Sequence, residues 1–121
     1  ADRVVGADDP PRHNKYSENR ELIMSKQLTL VVYSRAKPGM EEELGKRLLA
    51  LVEPSRAEEG CISYDMHQSQ EGPAVWLAYE NWRSEEDLAS HFEQPYLRAF
   101  ADTKDEVLDG PLDIRKFTIK S

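Results

Sequence analysis

The chain has 121 residues, 23 acidic against 16 basic, a net charge of −7 and one cysteine. That length fits one domain with one modest core. The acidic balance disfavours nucleic acid and anionic membrane surfaces as partners, and a lone Cys61 leaves no pair for a disulfide or a thiolate zinc site. No apolar run is long enough to span a membrane, so the expected compartment is a reducing cytoplasm.

Residues 1–26 are polar, proline-containing and without period. Such a stretch cannot offset its own ordering entropy, so it is expected to be a tail, either an arm or an added leader, ahead of a domain at 27–121. Leu28 to Arg35 follows as a first strand with apolar residues on both faces, closed by the turn Lys37-Pro38-Gly39. Met40, Leu44, Leu48, Leu51 and Val52 then share one face of a helix. Pro54 is expected to interrupt it near its end, and Gly60 to close it as a left-handed residue. Cys61 to Gln68 alternates as a second strand, with Ile62, Tyr64 and Met66 on one side.

After Glu71-Gly72-Pro73 comes a third strand, Ala74 to Trp82, and alternation places Glu80 and Trp82 on one face of it. Ser84 suits an N-cap, and Glu85, Glu86 and Asp87 read as a helix first turn rather than a metal site. Leu88 and Phe92 form an apolar stripe with His91 at its edge. A carboxylate, an indole and an imidazole thus meet at one rim. The helix is expected to restart at Pro95, Asp109-Gly110-Pro111 to end it, and Leu112 to Ile119 to form the last strand.

The order β-α-β-β-α-β predicts an α+β, ferredoxin-like fold. Two helices cover one face of four strands, yet the first and third strands are apolar on both sides: Val31 and Tyr33 oppose Leu30 and Val32, and Trp76 and Ala78 oppose Val75 and Leu77. A second copy of the same sheet is the expected cover, giving a dimeric α+β barrel and a homodimer through the sheet face.

Lys37-Pro38-Gly39, Glu58-Glu59-Gly60-Cys61 with Tyr64, Glu80-Asn81-Trp82 with Ser84, and Leu88, His91, Pro95 and Phe100 together resemble the antibiotic biosynthesis monooxygenase family. Over the segment from Trp82 to Phe100 the chain resembles the quinol monooxygenases of that family. The family likeness runs over about residues 28–119. It implies oxidation of a quinol-like or phenolic aromatic substrate by molecular oxygen, with no flavin, haem or metal cofactor. Such work needs a bound ring, removal of a phenolic proton and a dry pocket. On this resemblance His91 is the expected base and Glu80 its orienter. Trp82, Tyr64, Tyr33, Phe92, Tyr96 and Phe100 are the expected substrate-binding residues, with Asn81 as a donor to a developing oxyanion. Many relatives carry a second histidine where this chain has Tyr96, so a paired-imidazole mechanism does not transfer.

Three other readings use the same scaffold. An isomerase of a small hydroxy-carbonyl signal would need a polar pocket. Haem degradation in relatives uses a first-strand asparagine, and here that strand offers Thr29, Tyr33 and Ser34. A dimeric ligand-binding stress protein would bind an aromatic without turning it over.

Overall fold

The computed structural model describes residues 27–121, and the tail expected over 1–26 lies outside them. The elements are β1 (Leu28–Arg35), α1 (Glu41–Leu49), α2 (Val52–Arg56), β2 (Cys61–Gln68), β3 (Val75–Trp82), α3 (Glu85–Phe92), α4 (Pro95–Thr103), a 3₁₀ turn (Lys104–Glu106) and β4 (Asp113–Thr118). The four strands form one antiparallel sheet in the order β2-β3-β1-β4. This is the α+β ferredoxin-like arrangement, with each expected helix delivered as two short ones.

Proline chemistry accounts for both divisions. Pro54 has no N–H to offer the Ala50 carbonyl one turn back, and its ring would crowd that carbonyl. The helix therefore breaks at Ala50–Leu51, earlier than the proline itself, and Pro54 falls in the first turn of α2 where no donor is needed. Pro95 occupies the first position of α4 for the same reason.

Gly60 corrects an expectation. Among the described residues the glycines with positive φ are Gly39 (84°) and Gly110 (91°), both in turns; Gly60 is not left-handed. It is glycine because a Cβ there would overlap the Asp87 carboxylate. Asp87 is fixed in turn: its backbone N–H donates to Ser84 Oγ at 3.2 Å, and it takes a two-pronged bond from Arg83 at 2.8 and 3.0 Å. The start of α3 is thereby pressed against the α2–β2 corner. Gly60→Ala is expected to cost about 1–3 kcal/mol through overpacking, read as a lower urea midpoint with an unchanged slope.

A second correction concerns β2. Cys61 pairs with Trp82 and Ser63 with Asn81, so Ile62 is the extra residue of a bulge. It is 50% exposed and does not share the face of Tyr64. Beyond the bulge Tyr64 faces inward opposite Glu80.

The core lies between the sheet and the helices. Leu30, Leu44, Trp82, Leu88 and Val107 are its most buried members, with Leu28, Leu48, Leu51, Trp76 and Phe100 around them. On the sheet's other face Tyr33, Tyr79 and Phe117 remain exposed.

Candidate functional site

The site grows from the joint between β3 and α3. Ser84 caps α3 with its hydroxyl, and three acidic residues fill the first turn, where they complement the helix dipole. With that end fixed, Leu88 and His91, three apart, turn into the core. His91 is buried to 1% exposure.

Its imidazole is held on three sides. Nδ1 lies 2.7 Å from Glu58 Oε2. The Trp82 ring packs at 4.3 Å between centroids and 38° tilt, with Phe92 at 5.6 Å and Tyr64 at 5.8 Å. Glu58 Oε2 also accepts the Tyr96 hydroxyl. Because the carboxylate is an acceptor for both neighbours, the ring proton belongs on Nδ1 and Nε2 keeps its lone pair. Burial draws the imidazole below its ordinary value of 6.5, against the opposing pull of Glu58, so His91 is a neutral, proton-accepting ring at neutral pH.

Glu80 stands on the other side. It is 3% exposed, and its Oε1 accepts from Trp82 Nε1 at 2.9 Å. Burial pushes its carboxyl up to about 7, the Trp82 bond lowers it, and the Glu58 charge adds to the rise. Its Oε1 is 4.0 Å from His91 Nε2, too far for a hydrogen bond. The expected orienter is therefore corrected: Glu58 holds the imidazole, and Glu80 is a separate titrating group held by Trp82.

His91 and Glu80 both line a cavity of about 240 Å³ between the inner sheet face and the helices. Val32, Ala78, Tyr64 and Met66 form its sheet side, and Leu48, Leu51, Phe92, Leu97 and Phe100 its helix side. An engineered apolar cavity of ~150 Å³ holds benzene, so this one suits one or two fused rings. An apolar hollow with few converging polar groups, three of them (His91, Glu80 and Tyr64) with displaced pKa values, is the usual form of a small-molecule site.

The predicted residues divide accordingly. His91, Glu80, Tyr64, Phe92 and Phe100 meet at the cavity. Trp82 is fully buried behind His91 and does not line it. Tyr33 pairs with Leu77 and points to the outer face, 39% exposed and 5.6 Å from the Arg115 guanidinium. Asn81 is on that outer face too, its amide engaged with Thr29 at 2.5 Å and Ser63 at 3.0 Å, so it cannot meet an oxyanion in the cavity. Tyr96 lies behind Glu58, lining a second, polar cleft of about 380 Å³ with Glu59, Asp87, Ser90 and Gln94. Burial and Glu58 both raise its phenol. Sequence reasoning missed Glu58, which reads as one of two acidic residues at a helix end; the contact spans 33 residues of sequence and carries no local signal. Among the described residues no group of three or more His, Cys, Asp or Glu side chains is placed to hold a metal ion, and no helix is long and apolar enough to cross a membrane.

Comparison with known proteins places this arrangement. Residues 27–103 match the family model described as "Antibiotic biosynthesis monooxygenase". The chain is 31% identical over 87 residues to the Bacillus subtilis protein named "Putative monooxygenase YcnE", covering 72% of this chain and 92% of that one. It is 29% identical over 119 residues to the uncharacterized protein sll1783 of Synechocystis, 98% of this chain and 69% of the relative. Among solved structures, PA3566 of Pseudomonas aeruginosa superposes with a TM-score of 0.77 at 34% identity, covering 81% of this chain and 98% of that one.

Proposed function

Because the chain belongs to the antibiotic biosynthesis monooxygenase family, we propose that it oxidises a quinol-like or phenolic aromatic of one or two rings with molecular oxygen, using no flavin, haem or metal. The observation that carries this reading is a buried imidazole at the wall of an apolar, ring-sized cavity, with Nδ1 2.7 Å from the Glu58 carboxylate, which leaves Nε2 to accept a proton. Tyr64, Phe92 and Phe100 would hold the ring, with a phenolic hydroxyl at His91 Nε2. His91 takes that proton, and Glu58 stabilises the imidazolium that results. The phenolate is then electron-rich enough to reduce oxygen, and the surrounding apolar walls keep water from competing. Glu80, titrating near neutrality, is placed to exchange a proton with a second hydroxyl or with the reduced oxygen.

The test is oxygen uptake by the purified protein with mono- and bicyclic hydroquinones, before and after exhaustive dialysis against a chelator. Equal consumption in both, with a hydroxylated or quinone product, is the expected result. Tight binding of the same ring compounds with no oxygen consumed would favour the ligand-sequestering reading. Proton exchange into a hydroxy-carbonyl substrate without oxygen uptake would favour an isomerase.

The same family reading carries the assembly. Tyr33, Tyr79 and Phe117 form an exposed aromatic face on the sheet, the side that no helix among the described residues covers. We propose that a second copy packs there, leaving each cavity on the helix side. Light scattering should give twice the chain mass, and Tyr79→Glu should return it to a single chain mass by placing a charge in the contact; an unchanged mass in that variant would remove this face as the interface.

A further inference from the structure

His91 separates two hollows of opposite character. On its Nε2 side is the apolar cavity, and on its Nδ1 side stands Glu58, whose carboxylate borders the polar cleft of about 380 Å³. Imidazole and carboxylate are 2.7 Å apart, the Glu58 side chain is 12% exposed, and that of His91 is 2% exposed. Among the described residues no titratable side chain lines both hollows: His91 lines the cavity, Glu58 the cleft, and the contact between them joins the two. Glu80 faces the cavity and not the cleft, and Tyr96 faces the cleft and not the cavity.

From this juxtaposition we infer that Glu58 and the cleft behind it are the proton port of the cavity, carrying protons between His91 and bulk water while the reacting ring stays dry. The inference rests on the reading of His91 as the base. In the first half of the cycle the phenolic proton moves to Nε2, the Nδ1 proton passes to Glu58, and from there to water in the cleft. His91 is left neutral with its proton on Nε2. In the second half that proton goes to the oxygen species reduced by the substrate, and water returns one through Glu58 to Nδ1. The ring ends in its starting tautomer, and no electrons pass through it. The groups facing this path are Glu80 and Tyr64 from the strands, Lys104 from the 3₁₀ turn at the cavity, Tyr96 from α4, and Glu59 and Asp87 at the cleft mouth. The acidic mouth favours the escape of a cation such as hydronium over its retention in the cavity. Tyr96, donating to the same Glu58 oxygen, is a positioning residue for the carboxylate.

Two variants and one spectrum test the port. Glu58→Ala opens room beside the cleft for a small carboxylate, whereas Glu58→Gln fills it with an amide that cannot carry a proton. Turnover is expected to fall about 100-fold in both with KM within threefold of wild type, since Glu58 does not touch the cavity. Formate or acetate should restore at least tenfold in Glu58→Ala and nothing in Glu58→Gln. Nitrogen NMR of His91, assigned by the signal lost in His91→Gln, should show the proton on Nδ1 in the wild type and on Nε2 in Glu58→Gln. That spectrum is read without any substrate, so it separates this inference from the choice of reaction. A wild-type ring protonated on Nε2, or Glu58→Gln turnover within twofold of wild type, would overturn the port, as would rescue of both variants alike. If Glu58→Ala does not fold, the wild-type and Glu58→Gln spectra decide alone.

Discussion

His91→Gln is expected to lower kcat/KM for hydroquinone oxidation by roughly 10²- to 10⁴-fold, the span that a positioned general base contributes. Glutamine preserves a polar side chain of similar reach beside Glu58 but cannot take up a proton, so the loss should fall on kcat. In the wild type, burial draws the imidazole below its ordinary 6.5. The base is therefore unprotonated across the neutral range, and the acid limb of the kcat/KM profile should lie below pH 6.5. That limb should be missing from the residual activity of the variant. The inflection near 7, from the raised Glu80 carboxyl, should survive in both proteins if Glu80 exchanges a proton during turnover. Turnover by His91→Gln equal to wild type would take the imidazole out of the chemistry, whatever its place at the cavity wall.

How far such a site is legible in the sequence depends on the range of the contacts that build it. The alternation of Glu80 and Trp82 and the spacing of Ser84, Leu88 and His91 are local. They follow from strand and helix periods, and the structure brings those residues together as the periods require. The element order is also local in origin, since each strand and helix is bounded by its own glycines, prolines and caps. Glu58 is different. Its meeting with His91 depends on how closely α3 approaches the α2–β2 corner, where Gly60 makes room for Asp87. Nothing in the residues near Glu58 distinguishes it from Glu59, which is exposed at the surface and bonds loosely to Arg83 at 3.7 Å. Which face of the sheet carries the cavity is likewise a tertiary fact. Tyr33 and Tyr64 are both strand tyrosines with apolar neighbours. Register alone sends one outward beside Arg115 and the other inward beside Glu80.

Glu80→Gln should make the protein more stable at pH 8 while leaving it almost unchanged at pH 4.5. The folded carboxyl is pushed up to about 7 from an ordinary 4.5, chiefly by burial. Between those two values the unfolded chain has lost a proton that the folded chain keeps. Stability therefore falls as pH rises through that window and levels off above 7. At 1.36 kcal/mol per pH unit the loss amounts to about 3 kcal/mol. His91 acts with the opposite sign: its lowered value means that the unfolded chain gains a proton first as pH falls below 6.5, which reduces stability on the acid side. The two effects partly cancel in the wild-type curve, so the difference between wild type and Glu80→Gln isolates the carboxyl. The glutamine carbonyl can still accept from Trp82 Nε1, so the variant keeps that hydrogen bond. Urea midpoints at pH 4.5 and 8 measure the gap. An equal gap at the two values would mean that the folded carboxyl titrates where an exposed one does. A gap that opens towards pH 8 marks Glu80 as a buried acid kept at the cavity at the expense of stability, which is what selection for a reacting group, rather than for packing, leaves behind.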